Sequence, residues 1–423
     1  MKTLGCRLNE AELESWTRDF HKRGHQLTRN EDDAELIVIN TCAVTAEAVK
    51  KSRKLLRRAK RENPHAKLIV SGCYVSLEQQ LDNAIEGIDL IIPNTDKNRL
   101  VDIAHEKLHL TESPAQAIDD AAGELLFNGR QRAFVKVQDG CRYRCTYCIV
   151  TLARGEERSR TVEDIIQEIQ LLQAQDIKEV VITGVHLGGY GSDLGINLAD
   201  LIKAILNQTD IERIRLGSLE PWELHDDFWQ LFENPRLMPH LHLPLQSGCD
   251  TVLRRMSRRC RTEEFAQLCQ AALRINPDFN ITTDIIVGFP GETEAEWQQG
   301  LSFIKTMPFG HIHIFAFSPR QGTKAAILPD PVSRETKRDR SQVLHEAAAD
   351  LKNQRLQSMS GKTVEVLFEG NVVEDQHGNK IWSGYAPNFF RVSVISANDL
   401  CNQIKSVKIT GVSAENELNG ELV

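Results

Sequence analysis

The sequence predicts an α/β protein in three parts. An open parallel α/β sheet domain covers residues 1–105, a parallel sheet curled into a partial barrel covers 131–358, and a small β-barrel covers 360–423, with 106–130 as a linker. Three observations predict it. Short apolar runs alternate with helical stretches through the first two parts. Almost every one of those runs ends in glycine, cysteine or a polar residue. After Gly361 the pattern changes to short alternating strands, with a turn at Gly378-Asn379.

In the first part, Leu36-Ile37-Val38-Ile39, Leu68-Ile69-Val70 and Leu90-Ile91-Ile92 read as buried parallel strands. Cys42 follows the first through Asn40-Thr41, and Cys73 follows the second through Ser71-Gly72. Cys6 follows Thr3-Leu4-Gly5, the end of an opening strand. Carboxyl ends of parallel strands share one edge, where ligands bind. Three thiols far apart in sequence are therefore expected to converge; the alternative is three unrelated half-buried cysteines. The chain starts five residues before Cys6, so either that edge is short or the true start lies upstream. Ala46, Val49, Leu55, Leu56 and Ala59 recur at helical spacing among Lys50, Lys51, Arg53, Lys54, Arg57, Arg58, Lys60 and Arg61. That segment is an amphipathic helix with a basic outer face.

The central part offers six strand-like runs: Ala133–Val137, Glu179–Thr183, Arg213–Leu216, His240–Leu243, Ile281–Val287 and His311–Phe317. Chemistry in such folds sits in the loops after the strands. The loop after the first run holds Cys141-Arg-Tyr-Arg-Cys145-Thr-Tyr-Cys148. Three thiolates this close can hold three corners of a [4Fe–4S] cube and leave one iron open to bind and reduce a small molecule. A zinc knuckle is the alternative and needs a fourth Cys or His, of which His186 is the nearest downstream histidine. Gly184, Ser218, Glu220 and Gln246 follow later runs, as do Gly288-Phe-Pro-Gly-Glu292 and Ser318, Arg320 and Gly322.

Composition narrows the class. The chain has 41% hydrophobic and 26% charged residues, as an ordinary soluble globular protein does. Lys2 directly after Met1, with no apolar stretch behind it, argues against a secretory signal, and no run is long enough to cross a bilayer. Ten cysteines in such a chain point to metal or redox use in the cytoplasm, with Cys249, Cys260, Cys269 and Cys401 as free or core thiols. The net charge of −8 excludes a general basic footprint. The basic helix and a second cluster, Arg254, Arg255, Arg258, Arg259 and Arg261, favour a polyanionic partner.

Taken together these motifs resemble the radical S-adenosylmethionine (SAM) methylthiotransferases along the whole chain. Thr3-Leu-Gly-Cys6-Arg-Leu-Asn9, Asn40-Thr-Cys42 and Ser71-Gly-Cys73 match the ligands of the family's auxiliary cluster. Cys141, Cys145 and Cys148 match its SAM-cluster ligands, and Arg154-Gly-x-x-Arg158-Ser-Arg160 follows. Leu243-Pro-Leu-Gln246-Ser-Gly248, Thr283-Asp-Ile-Ile-Val-Gly-Phe-Pro-Gly-Glu292 and Phe317-Ser-x-Arg320-x-Gly322-Thr323 also match. The last 60 or so residues resemble a TRAM domain, an RNA-binding module. The resemblance implies two [4Fe–4S] clusters and SAM, with no catalytic side chain beyond the cluster ligands. SAM on the open iron would give a 5′-deoxyadenosyl radical, the auxiliary cluster would hold the sulfur, and a second SAM would methylate it. Thr183, Gly184, Ser218, Glu220 and Asp284 stand where SAM contacts are expected, with Glu292 and Arg320 behind them.

The tail Trp382-Ser-Gly-Tyr385-Ala-Pro-Asn388-Phe-Phe-Arg391-Val resembles the MtaB-type branch. That implies methylthiolation of N6-threonylcarbamoyladenosine beside the anticodon of tRNA. Isopentenyladenosine and a ribosomal-protein aspartate are the other family substrates, and a non-catalytic zinc-stabilised RNA-binding protein is the rival from another class. The expected partners are the tRNA anticodon loop, an electron donor such as flavodoxin or ferredoxin, and a sulfur donor, with no membrane and a monomeric chain. Three features depart from the family. Ile-Val-Thr-Leu-Ala follows Cys148 where a Pro-aromatic pair is common, Phe317 replaces a usual tyrosine, and the tail holds more Asp and Glu than Lys and Arg.

Overall fold

The computed structural model describes residues 1–28, 30, 32–80, 87–111, 131–224 and 226–423. Strands β1 (Lys2–Thr3), β2 (Leu36–Thr41), β3 (Lys67–Gly72) and β4 (Leu90–Ile92) form one parallel sheet in that order. The register pairs Asn40 with both Thr3 and Ser71, and Thr41 with Gly72, so the carboxyl ends lie level. The continuous apolar runs reflect burial on two faces. Ile37, Ile39, Leu68 and Val70 pack with Leu56 and Ala59 of the basic helix, Ala46–Glu62. Val38, Ile69 and Ile92 pack on the other side with Trp16, Phe20 and Leu100. Each such fully buried side chain contributes on the order of 1.5–3 kcal/mol.

The helix Arg7–Lys22 joins this sheet to the barrel. Its Ala11 packs against Phe134 and Val181. Glu14 accepts the backbone N–H of Phe134 at 3.2 Å, satisfying a donor on the edge strand of the barrel sheet.

In the barrel, β5 (Arg132–Lys136), β8 (Glu179–Thr183) and β9 (Arg213–Leu216) are parallel, as are β10 (His240–His242), β11 (Asn280–Val287) and β12 (Phe309–Ala316). The bridges Ile214 to Leu237 and Ser218 to His242 join the two sets into one curved six-stranded array. Between β5 and β8, the short β6 (Gln138–Asp139) and β7 (Arg158–Ser159) pair antiparallel and bracket the three-cysteine loop. Outward residues such as Val135, Val180, Ile182 and Ile285 pack on the surrounding helices. Alternation then turns Arg132, Lys136, Glu179, Arg213 and Arg215 into the lumen, beside the apolar Phe134 and Val181.

The helix Arg334–Gln357 leads into a closed barrel of β13 (Thr363–Glu374), β14 (Lys380–Tyr385), β15 (Arg391–Ile395), β17 (Leu418–Leu422) and β16 (Ile404–Val412), in that spatial order. The fifth strand, Leu418-Asn-Gly-Glu-Leu422, is absent from the sequence reading because two of its inner positions are poor strand formers. The helix Leu100–Leu108 runs past residue 105, and 112–130 lie outside the described residues.

The tail barrel seats on the amino-terminal end of the central barrel, opposite the cysteines. Arg213 donates to the Tyr385 and Glu365 carbonyls, and Arg215 to that of Pro387 at 2.9 Å. The Phe389 ring fills the centre, stacked on Tyr385 and flanked by His240, Arg132 and Arg215. These contacts hold Phe389 at φ 69°, a backbone region unusual for a bulky residue. Trp382 and Phe390 lie in the tail barrel's own core. The aromatic residues of the tail motif are therefore packing and docking groups.

Candidate functional site

Thr41 and Gly72 end their strands side by side and are followed directly by Cys42 and Cys73, while Cys6 follows Thr3 of β1 through Leu4-Gly5 onto the same edge. A Cβ at Gly5 would lie 2.8 Å from the Cys42 sulfur, so only glycine lets these two loops approach. Asn94 donates toward the Cys73 sulfur at 3.9 Å, and Cys6 toward Asn9. Burial, and then the adjacent Cys73 and Cys6, push the Cys42 thiol up to about 11. Three thiols that repel one another when ionised fit a cation-rich group that takes up their charge. Ser52, on the inner face of the basic helix, accepts the Cys42 N–H and donates to its carbonyl at 2.9 Å. Sequence reading missed Ser52, which looks like any small residue on a helix.

Cys141, Cys145 and Cys148 form the second set, in the loop between β6 and β7. Burial raises the Cys141 and Cys148 thiols to about 12, with repulsion from the other cysteines of the loop and from Glu220. Cys148 N–H donates to the Cys145 carbonyl at 3.0 Å, fixing the turn. Arg258 lies behind this set, donating toward the Cys145 sulfur at 3.7 Å and to Glu220 at 2.6 Å, with its guanidinium over Trp222. It is a missed functional residue: in sequence it belongs to a basic run. That run is not one surface patch, since Arg258 is turned inward and Arg255 is paired with Glu296 at 2.8 Å. His186 brings a donor atom within 4.8 Å of those of Cys141 and Glu157, but its ring is already engaged by carboxylates. It bonds Glu157 at 2.6 Å and faces Glu223 at 3.3 Å.

Gly140 enters the three-cysteine loop at φ 78°, and a Cβ there would lie 1.9 Å from the Glu156 carbonyl. Gly140→Ala is expected to cost about 1–3 kcal/mol and to reduce iron at this cysteine set alone. Thermal melting and iron analysis check it; unchanged iron would mean the loop tolerates displacement.

Of the residues expected to contact SAM, Thr183, Gly184, Ser218 and Glu220 lie at or just after the ends of β8 and β9, and Asp284 lies within β11, with Thr183 beside Gly217 and so next to Ser218. Glu220 stands among the three cysteines. Thr183 is buried at the end of β8, and a Cβ on Gly184 would lie 2.9 Å from Gln138, whose side chain braces the backbone before Cys141. Ser218 is exposed and bridges to β10. Asp284 faces His242 at 3.3 Å in the lumen. Glu292 is a structural clamp, binding the Gly288 N–H and Arg340.

One buried network joins the two cysteine sets. Arg154, six residues after Cys148, donates to Glu12 at 2.9 Å, Asp139 at 3.0 Å and Asn9 at 2.7 Å. Lys97 and Lys136 also bind Glu12, at 2.5 and 2.9 Å. The cations outnumber the carboxylates by one (Arg154, Lys97 and Lys136 against Glu12 and Asp139). An excess positive charge beside Cys6 and Cys73 offsets the negative charge these cysteines carry when they ligate a metal group. On the far side of Cys42, Lys50, Lys51, Arg53, Lys54, Arg57, Arg58 and Arg61 are exposed as the helical spacing requires.

Residues 1–93 match the family described as "Uncharacterized protein family UPF0004", and residues 135–304 match the Radical SAM superfamily. The chain is 34% identical over 422 residues to the threonylcarbamoyladenosine tRNA methylthiotransferase MtaB of Thermotoga maritima, covering 98% of this chain and 95% of that protein. It is also 34% identical to the tRNA-2-methylthio-N(6)-dimethylallyladenosine synthase of Geobacillus thermodenitrificans, covering 100% of this chain but 83% of that one. In fold it is similar to the radical S-adenosylmethionine methyltransferase TsrM of Kitasatospora setae, with a TM-score of 0.54 and 13% identity over 74% of this chain and 68% of that one.

Proposed function

The chain belongs to the radical SAM tRNA methylthiotransferases, and from that premise we propose that it adds a methylthio group to C2 of N6-threonylcarbamoyladenosine, 3′ of the anticodon. What carries the reading is the pairing of two three-cysteine sets, joined through Arg154, in a chain similar to MtaB from end to end. Clusters on the two sets, with SAM, supply the one-electron chemistry and the sulfur that no side chain offers. The chain's own residues hold and shape these sites. Cys6, Cys42 and Cys73 bind the auxiliary cluster; Cys141, Cys145 and Cys148 bind the SAM cluster, with Glu220 and Arg258 beside it. Thr183, Gly184 and Ser218 line the rim around SAM.

The basic face of the helix Ala46–Glu62 engages tRNA phosphates, whose charge draws Lys and Arg without reading sequence. The tail barrel is a TRAM-like module that adds to this contact. We assign 1–105 to the auxiliary-cluster domain, 131–358 to the radical SAM core and 360–423 to the TRAM-like domain. A flavodoxin or ferredoxin delivers the electron, a separate donor restores the sulfur, and the chain works as a cytoplasmic monomer. Among the described residues no helix is long and apolar enough to cross a membrane.

Nucleosides from tRNA of cells with and without the gene, measured by mass spectrometry, test the function. The expected result is loss of 2-methylthio-N6-threonylcarbamoyladenosine and accumulation of its unthiolated precursor. Loss of the isopentenyl derivative instead would replace the substrate, and an unchanged profile would remove tRNA as the target.

A further inference from the structure

The sites described so far leave one cluster in the barrel unused. His242, Asp284 and His313 bring donor atoms within 4.8 Å of one another, from β10, β11 and β12. His311 adds a third ring, its centroid 4.5 Å from that of His313. The register explains the gathering. His242 pairs with Thr282, Thr282 with His311, and Asp284 with His313, so all five share one face of the sheet. The opposite face carries Ile281, Ile285 and Ile312, which pack on the helices, so the imidazoles face the lumen.

The wall lies between the two cysteine sets. Ile286, two residues beyond Asp284, packs against the same apolar cluster around Phe289 as Phe317 and as Tyr147 of the three-cysteine loop. Arg7, next to Cys6, is close enough to bear on the protonation of His313. Below the wall, His240 is buried and closed off by Phe389. The opening is therefore toward the cysteines.

Its members are not equivalent. His242 is held at both nitrogens, by Thr282 at 3.0 Å and Asp284 at 3.3 Å. His311 and His313 are exposed and have no hydrogen-bond partner among the described residues. The charged groups bearing on these two rings are Lys352 and Arg7 against the single carboxylate of Asp284. That balance favours an anion over a metal dication. Partial desolvation by the surrounding wall, then His313, Lys352 and His242, lower His311 to about 4, so it is a neutral N–H donor at pH 7.

We propose that His311 and His313, with His242 fixed behind them by Asp284, bind the threonyl carboxylate of the N6 substituent and thereby select the target nucleoside. This rests on the threonylcarbamoyladenosine reading above. C6, which carries N6, and C2 flank the same ring nitrogen of adenine, so the substituent must lodge beside the reacting centre, where this wall stands. An isopentenyl group would leave these donors dry and unpaired, the arrangement that rejects a substrate lacking the matching group.

The test uses the reconstituted enzyme and anticodon stem-loops carrying threonylcarbamoyladenosine, its neutral methyl ester, or isopentenyladenosine. The wild type is expected to prefer the acid over the ester in kcat/KM by about 10- to 100-fold, the size of one or two charge-assisted hydrogen bonds. In the variant His311→Leu/His313→Leu that ratio falls to near one. His311→Gln/His313→Asn keeps donors and retains part of it, and guards against a folding defect in the first. A preference unchanged in both variants overturns the inference while leaving the substrate reading intact. Wild-type activity on the isopentenyl stem-loop alone overturns both. A bound metal ion beyond the iron of the two clusters, present in the wild type and absent in the variants, would make the histidines ligands and also overturn it.

Discussion

Alanine at Cys141, Cys145 and Cys148 together is expected to abolish reductive cleavage of SAM while roughly half the iron stays bound. Alanine at Cys6, Cys42 and Cys73 is expected to do the reverse: 5′-deoxyadenosine still forms, but no methylthio product appears. The separation follows from placement. One set follows strands of the four-stranded sheet, the other lies in the loop between β6 and β7, and they share no ligand. Burial pushes the Cys42, Cys141 and Cys148 thiols up, so these ionise only onto a metal, and a set stripped of all three cysteines has no ligand left to offer. Iron analysis and chromatography of 5′-deoxyadenosine read both arms. If both triple variants cleave SAM normally, the reductive site has been assigned to the wrong cysteines.

What could be read from the chain, and what could not, divides along a physical line. Strand-end cysteines were legible because parallel topology alone aligns the ends of β2 and β3, whatever the side chains do. The basic helix was legible because its period puts Leu56 and Ala59 inward and the cations outward. Arg258 and Arg255 were misplaced because helical spacing cannot say that Glu220 and Glu296 wait across a tertiary contact. In sequence the tail run from Trp382 carries only a resemblance to one branch of the family, without a role for its aromatic residues. Only the docking of Phe389 between Arg132, Arg215 and His240 shows what they pack against. The histidine wall was invisible for a related reason: His242, Asp284 and His313 become neighbours through strand register, which one-dimensional pattern does not carry.

Arg154→Met is expected to be the most damaging single change outside the cysteines, with a loss of about 3–5 kcal/mol in stability at pH 7, because it leaves buried charge unpaired. The guanidinium reaches Asn9 and Glu12 of the first domain and Asp139 of the barrel at once. Arg154→Lys keeps the charge but not the fork, so it should recover only part of the loss. The pH profile separates this account from simple packing. Burial alone would raise both carboxylates, but Arg154, Lys136 and Lys97 outweigh it at Glu12, and Arg154 and Lys136 do so at Asp139. Glu12 is held well below the usual range and Asp139 at about 2. Carboxylates depressed in the folded state stabilise fully above their unfolded value, about 4, and lose that contribution as pH falls toward 2. Without Arg154 both carboxylates rise, so the acid limb of the unfolding curve should move toward neutral pH. A packing defect would lower stability equally at every pH. Urea unfolding between pH 3 and 7 distinguishes the two, and a uniform loss across that range would reduce Arg154 to a space-filling residue. Product formed per 5′-deoxyadenosine should fall in the same variant, because the same guanidinium ties the helix behind Cys6 to the segment that follows Cys148.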